Sequence, residues 1–421
     1  MSAPNVLDEL EWRGLLAHST DRDALRASLG EGSVRFYVGF DPTAPSLHMG
    51  NLVQLVTARR LQQFGHTPFI LVGGATGMIG DPRDSGERTL NTLDTVKDWT
   101  DRLRQQVSAF VHFTGDNAAT VVNNYDWTAS LSTIDFLREV GKHFPVNRML
   151  ARDTVKRRLE SGISYTEFSY VLLQSMDYLH LHREYGVGLQ FGGSDQWGNI
   201  TAGAELTRRV TGDHVHAFAT PLITKTDGTK YGKTEGGALW LDPQMMSPYA
   251  FHQFWLNAED EKVGELLRIF TFLPRSEIED LEAQTAEKPF LRAGQKRLAD
   301  EVTALVHGEE ETEQAKAAAG ALFGGGDLAS LRGETLAAAL GETGTTQVSR
   351  NDLPTVVDLF VLAGLAKSKG EARRTVGEGG AYVNNVRVDD PEHQLTADEL
   401  LHDRWLVLRR GKKKFAGVEA L

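Results

Sequence analysis

A histidine, a pair of lysines and one polar helix face are the residues here with the means to do chemistry. His48 stands in Ser46-Leu47-His48-Met49-Gly50-Asn51, directly before Leu52 to Leu61, a stretch with helical periodicity. That puts His48, Gly50 and Asn51 at or near a helix N-terminus, where unpaired backbone N–H groups and the helix dipole favour an anion. Gly50 carries no side chain to bar close approach, and His48 can donate to a phosphate; the same residues also read as an ordinary loop and cap. Lys230 and Lys233 lie in the turn-prone stretch Pro221 to Thr234, a flexible loop with cationic tips or simply a solvated basic loop. Tyr170, Gln174 and Asp177, spaced four and three apart, share one face of a helix. A polar stripe is usually the solvated side of an amphipathic helix. This one holds an aromatic and no Lys, Arg or Glu. Asp195 follows two glycines in Gln190-Phe191-Gly192-Gly193-Ser194-Asp195-Gln196-Trp197-Gly198-Asn199, where backbone can be approached closely and a carboxylate can bond ribose hydroxyls.

The elements that must position these groups read as follows. Val34 to Phe40 is a buried strand, followed by a loop set by Asp41-Pro42 and Ala44-Pro45. Residues 52–65 form a helix ending near Gly65. Thr67 to Val72 is a continuous apolar run suited to a buried parallel strand, and it ends in the Gly-rich loop Gly73 to Asp81. Strand, helix, strand makes a βαβ unit, and ligands of open α/β sheets sit outside the carboxyl ends of the strands, where both Gly-rich loops fall. The glycine spacing is not that of the dinucleotide fingerprint; it serves either tight turns or a ligand lying against backbone. Residues 4–30 read as one helix, and 91–160 as mostly helical, interrupted by Asn123-Asn124-Tyr125-Asp126-Trp127. Residues 164–182 and 245–323 are helical. Gly341 to Thr346 marks a linker region over 327–350, and residues 351–421 form a small separate domain of two helices followed by turns and strands. Its Lys369, Arg373, Arg374, Arg409 and Arg410, with Lys412, Lys413 and Lys414, make either a phosphate-binding face or a solvated charged surface.

A chain of 421 residues with 41% hydrophobic and 24% charged residues has the composition of a globular protein of two to four domains. The absence of cysteine excludes disulfides, thiolate metal sites and a cysteine nucleophile, and suits a reducing cytoplasm. Met1 to Arg13 has no apolar core of the kind a signal peptide carries, and no run approaches the ~20 apolar residues needed to span a bilayer. The net charge of −12 argues against a non-specific nucleic-acid coat but leaves room for a local basic face. The pairs His180/His182 and His214/His216 lack a carboxylate or third ligand and read as structural or surface residues, so no protein-bound metal is expected.

Taken in order, these stretches resemble the bacterial-type tyrosyl-tRNA synthetases among the class I aminoacyl-tRNA synthetases. His48-Met49-Gly50-Asn51 is similar to the first nucleotide-binding motif of class I, with Met for Ile and Asn51 for its second His. Lys230-Tyr231-Gly232-Lys233-Thr234 is similar to the second, in its tyrosyl variant. The resemblance spans nearly the whole chain. It implies an α/β fold with a Rossmann-like parallel-sheet catalytic domain over 1–232, a helical connecting insertion at about 91–160 that carries a dimer contact, an α-helical anticodon-side domain over 233–326, the linker 327–350, and an S4-type RNA-binding domain over 351–421.

The resemblance also implies a reaction: tyrosine and ATP give tyrosyl-adenylate and pyrophosphate, and tRNA(Tyr) then takes the tyrosyl group. Thr43, His48, Lys230, Lys233 and Thr234 would serve catalysis. Asp81, Tyr170 and Gln174 would hold the tyrosine ammonium, Asp177 and Tyr37 its phenol, and Gln190 and Gln196 would face the amino acid. Gly39, Asp41, His48, Gly50, Asn51, Gly193, Asp195, Lys230 and Lys233 would meet ATP, which brings Mg2+. Arg88 matches a mobile-loop position near pyrophosphate, and Lys369, Arg373, Arg374, Arg409 and Arg410 would meet RNA. A cytoplasmic homodimer with no membrane partner is the expected form. Two other readings stand beside this one. A tryptophanyl enzyme shares the architecture, although an indole N–H is only a donor. A non-catalytic RNA-binding protein could also be built on the same scaffold.

Overall fold

The computed structural model describes residues 5–421 except 83–85, 87–89, 235–236, 325, 343 and 412–413; the Arg88, Lys412 and Lys413 assignments fall outside the described residues. By contacts the chain divides into two compact units: residues 1–245 with 259–294, and 246–258 with 295–421.

In the first unit, helices α1 (Val6–Trp12) and α2 (Arg22–Glu31) flank the short strand β1 (His18–Ser19). The single helix expected over 4–30 is therefore two. Gly14, at φ +74°, turns the chain after α1, and Asp21 starts α2 by accepting from Ala24 N–H. Strand β2 (Arg35–Phe40) leads into α3 (Met49–Gln63), then β3 (Thr67–Val72) and β4 (Thr120–Asn123). Helix α4 (Tyr165–Tyr185), β5 (Leu189–Gly193), α5 (Trp197–Thr211) and β6 (His216–Thr220) complete the sheet layer. Among the described residues the order is β1-β6-β5-β2-β3-β4. All neighbours are parallel except β1 with β6. Chain order reverses between β2 and β5, so the sheet has a switch point there.

Strand β4, inside the stretch expected to be helical, pairs parallel to β3. Its sequence, Thr-Val-Val-Asn, is half-buried and too short to stand out by periodicity. Strand β3 carries Phe69, Ile70, Leu71 and Val72 with both faces covered, as its unbroken apolar run implies. Helix α4 starts at Ser164, whose hydroxyl accepts from Glu167 N–H, and stops at Gly186 in the left-handed region (φ +65°). The hairpin β7 (Lys233–Thr234) and β8 (Gly237–Ala238) follows the second Gly-containing loop.

The second unit holds β9 (Thr345–Val348), β10 (Ala381–Val383), β11 (Val386–Arg387), β12 (Trp405–Arg410) and β13 (Lys414–Ala420), in the order β11-β10-β12-β13-β9. Residues 327–350, read above as a linker, contain a helix at Gly333–Gly341 and β9, which pairs parallel to β13. Helices α6 (Val356–Leu362) and α7 (Lys369–Gly377) bury Val356, Phe360, Ala372 and Val376 against Leu406, Leu408 and Val418 of the sheet.

Candidate active site

A cleft of about 470 Å³ opens at the carboxyl ends of β2 and β5, at the switch point. The side chains that reach it come from β2 and its following loop, the first turn of α3, α4, the β5–α5 turn and the 221–232 loop. Register sets one wall: Tyr37 on β2 pairs with Gln190 on β5.

The closed end is built around two buried groups. Tyr37 is 2% exposed and its Oη has no hydrogen-bond partner. Burial first, and then the nearby Asp177 carboxylate, push its phenol well above the usual tyrosine range, so it stays a donor. Asp177, on α4, is equally buried. Its Oδ1 accepts from Trp127 Nε1 at 2.9 Å and its Oδ2 from Asn124 Nδ2 at 3.0 Å. Burial raises this carboxyl to about 7 against the opposing pull of those two donors. The polar stripe of α4 is thus an inward face, and the missing Lys, Arg and Glu fit a buried position.

Next comes a carboxylate-rich band. Tyr170 Oη donates to Asp41 Oδ2 (2.7 Å) and Thr76 Oγ1 to Asp41 Oδ1 (2.7 Å). Asn124 Nδ2 also donates to Thr76 Oγ1 (2.9 Å), which links Asp41 to Asp177 through two small polar side chains. Asp81 accepts from Gln196 Nε2 (2.8 Å) and Asn199 Nδ2 (3.2 Å). Buried Gln174 Oε1 and Gln190 Oε1 have no hydrogen-bond partner, although both residues line the cleft. Unpaired buried acceptors are costly, so a ligand with several donors would satisfy this end.

The open end presents donors. His48 is the N-cap of α3: its Nδ1 accepts from Gly50 N–H at 3.0 Å, and Asn51 Oδ1 accepts from His48 N–H at 3.0 Å. An imidazole whose Nδ1 is an acceptor carries its proton on Nε2 when neutral. Burial, with Lys230 adding, lowers the His48 pKa and favours the neutral ring. Asn51 keeps its amide protons because its oxygen is used in the cap. A Cβ on Gly50 would lie 2.9 Å from His48 Cε1, so the glycine makes room for the histidine. Thr43, Gly39, Gly193, Asp195 and Lys230 line the same end. Lys233 and Thr234 have described backbone in β7, and their side chains fall outside the described residues.

The Gly73–Gly77 turn does not leave backbone open to a ligand. Added Cβ atoms would strike Asp41 and Thr76 at Gly73, Asn123 at Gly74 and Pro42 at Gly77. These glycines let two loops pack together and bring Thr76 to Asp41.

Sequence reasoning missed Asn124, Trp127, Thr76, Asn199 and Arg152, none of which needs a ligand to reveal its part. The signal for the first two was the polar break Asn123–Trp127 inside a helical pattern. His180 stacks on Trp127 (4.3 Å, 17°) and His182 meets Asp213 at 3.0 Å.

In the second unit Lys369 pairs with Asp358 (2.5 Å), Arg373 with Glu392 (2.9 Å) and Arg410 with Glu371 (2.8 Å). Arg409 lies over the Tyr382 ring at 3.9 Å, and Arg374 is exposed. The basic face is therefore interleaved with carboxylates.

Residues 30–324 match the family described as tRNA synthetases class I (W and Y), and residues 336–418 match the tyrosine–tRNA ligase SYY-like C-terminal domain. The chain is 60% identical over 418 residues to the tyrosine–tRNA ligase of Streptomyces coelicolor, across 99% of both chains. It is 61% identical over 415 residues to that of Kineococcus radiotolerans, across 98% of both. The fold is similar to a C-terminally truncated mitochondrial tyrosyl-tRNA synthetase from Aspergillus nidulans, with TM-score 0.68 and 30% identity, covering 74% of this chain and 92% of that one.

Proposed function

Because the chain belongs to the class I tRNA synthetases, and within them to the tyrosine–tRNA ligases, we propose that the cleft at the β2/β5 switch point holds tyrosine at its closed end and ATP at its open end. The protein activates L-tyrosine with ATP, releasing pyrophosphate, and charges tRNA(Tyr) with the tyrosyl group. The observation that carries the placement is the pair at the closed end: a buried phenol with no partner, Tyr37, beside a buried carboxylate, Asp177, already held by two donors.

A phenol substrate donates to Asp177 and accepts from Tyr37. An indole N–H would leave Tyr37 unsatisfied, and phenylalanine would leave Tyr37 unsatisfied and give the buried Asp177 carboxylate no further donor, which is costly in a buried site. Tyrosyl enzymes are the standard illustration of this effect, rejecting phenylalanine by roughly 10⁵-fold without editing, a figure that describes the family rather than a property derived for this protein. Asp81, Tyr170 and Gln174 take the tyrosine ammonium, and Gln190 and Gln196 face the amino acid. The tyrosine carboxylate then attacks the α-phosphorus of ATP and pyrophosphate leaves. No protein nucleophile is needed: orientation and charge stabilisation at the phosphates carry the step. His48, through its Nε2 proton, works with Thr43, Lys230, Lys233 and Thr234 on the phosphates. Gly39, Asp41, Gly50, Asn51, Gly193 and Asp195 seat the nucleotide, and Mg2+ enters with ATP. Lys369, Arg373, Arg374, Arg409 and Arg410 meet the tRNA backbone from the C-terminal part, 351–421, with 1–232 as the catalytic part and 233–326 beside the anticodon.

The protein works as a cytoplasmic homodimer. Ile134, Val146 and Leu159, exposed by 64%, 61% and 48%, are apolar residues of the 91–160 insertion that a second copy would cover. Exchange of labelled pyrophosphate into ATP tests the site with tyrosine, phenylalanine and tryptophan in parallel. Exchange with tyrosine alone is expected; comparable exchange with tryptophan would overturn the assignment of Tyr37 and Asp177.

A further inference from the structure

Behind Asp81, on the side away from the cleft, a chain of directed hydrogen bonds runs out to the helical insertion. Asn199, 3% exposed, uses its amide nitrogen twice: it donates to Asp81 Oδ1 at 3.2 Å and to Gln196 Oε1 at 2.8 Å. Gln196, its oxygen so occupied, turns its own amide nitrogen to Asp81 Oδ2 at 2.8 Å. The orientation of Asn199 is set from outside, because Arg152 donates to its Oδ1. A guanidinium has donors only, so it accepts one of the two amide orientations, the one that aims both Asn199 protons at Asp81 and Gln196. The seat for Arg152 is built into the same motif: a Cβ at Gly198 would lie 3.2 Å from Arg152 Nη2. Arg152 belongs to the insertion, just ahead of the helix Asp153–Arg158. Asn199 and Arg152 also line a second, small cavity of about 30 Å³ behind Asp81, so neither stands in the main cleft.

We propose that Asn199 is a positioning residue for tyrosine binding, with Arg152 fixing its amide. Together they hold the Asp81 carboxylate, and the Gln196 amide that donates to it, in the orientation in which Asp81 receives the substrate ammonium. This rests on the reading that Asp81 takes that ammonium. Neither residue touches the substrate. Their effect is confined to ligands with an ammonium, and a general loosening of the fold would not produce that selectivity.

The test is competitive inhibition of pyrophosphate exchange by two fragments of tyrosine. Tyramine keeps the ammonium and lacks the carboxylate; hydroxyphenylpropanoate keeps the carboxylate and lacks the ammonium. Asn199→Ala is expected to weaken tyramine about tenfold, the scale of one charge-assisted hydrogen bond, and to leave hydroxyphenylpropanoate and the KM for ATP within about twofold. Arg152→Gln weakens tyramine in the same direction, and Arg152→Lys, which keeps a donor, restores most of it. The sign is informative. Loss of a cation near Asp81 would by charge alone tighten an ammonium, so weakening in Arg152→Gln reports orientation. Equal weakening of both fragments, or unchanged tyramine in Asn199→Ala, overturns the proposal. Asp81→Asn separates the two levels. If it weakens tyramine selectively while Asn199→Ala does not, the positioning inference fails and the reading of Asp81 stands. If it leaves the two fragments in their native ratio, the reading of Asp81 itself fails.

Discussion

In the proposed reading Asp177 has two tasks that pull against each other. Discriminating a phenol from a bare ring needs a buried carboxylate, yet burial favours the protonated form and raises it to about 7. Trp127 and Asn124 oppose that by bonding the ionised form. A carboxyl raised above its unfolded value is protonated in the folded protein below about pH 7, and in that state it loses its charge and is a weaker acceptor for the substrate hydroxyl. Tyrosine binding measured without ATP is therefore expected to strengthen as pH rises from about 6 to 8, by at most about tenfold per unit on the acid side. Equilibrium dialysis across that range checks it, and a flat profile would contradict it. His48 carries the opposite solution: burial first, and then Lys230, lower its pKa, which favours the neutral ring that donates from Nε2. The roles proposed for Tyr37 and Asp177 come from the sequence only through resemblance. Their types and spacing allow a solvated face equally well, and what decides the matter is burial, which depends on β4 and the 123–127 turn closing over α4.

At the scale of elements, the two stretches proposed to face the nucleotide are mechanically tied. Met49 N–H donates to Leu239 O, and Leu239 N–H donates to Gly232 O, so the first turn of α3 and the end of the lysine loop share a strand-like contact. Gly232 sits at φ +82°, and a Cβ there would come 2.4 Å from Met49 Sδ. Gly232→Ala meets both obstacles, backbone strain of about 1 kcal/mol and a displaced Met49. It is expected to slow adenylate formation in a single turnover by tenfold or more, with tyrosine affinity unchanged by equilibrium dialysis; a native rate would separate the loop from α3 function. The βαβ unit, the polar α4 stripe and both Gly-rich loops could be read from the sequence because long periodic runs and punctuating glycines announce them. Short elements escaped. Strand β4 has four residues, β1 has two, and the helix and β9 within 327–350 sit among the Gly and Thr residues that signal a linker. Each of these strands is fixed by pairing with a distant strand rather than by local preference.

For the whole molecule, the division by contacts assigns 246–258 to the C-terminal unit and 259–294 to the catalytic one, an interleaving that composition along the chain does not announce. The net charge of −12 makes RNA binding a matter of local geometry. On the C-terminal unit three of the five basic candidates are paired with carboxylates in side-chain contact. Lys369 and Arg373 are exposed, and pairs of that kind are individually weak, about 0–1 kcal/mol, and can be exchanged for phosphate contacts. Reversing Arg373 and Arg374 to Glu is expected to raise the KM for tRNA(Tyr) in aminoacylation by tenfold or more and to flatten its dependence on salt. Pyrophosphate exchange, which needs no tRNA, stays at the native rate. An unchanged KM for tRNA would remove this face from RNA binding.

In the proposed reading the closed end of the cleft decides the substrate. Its most direct test is the ratio of kcat/KM for tyrosine over phenylalanine in pyrophosphate exchange, in the native protein and in Tyr37→Phe. Removing one hydroxyl takes away a hydrogen bond made only with the phenol, worth about 0.5–1.5 kcal/mol. The ratio is therefore predicted to fall by roughly threefold to tenfold, through a loss with tyrosine and a gain or no change with phenylalanine. If the two substrates lose equally, Tyr37 supports the fold of the pocket rather than reading the substrate, and the assignment of the closed end to the tyrosine hydroxyl is contradicted.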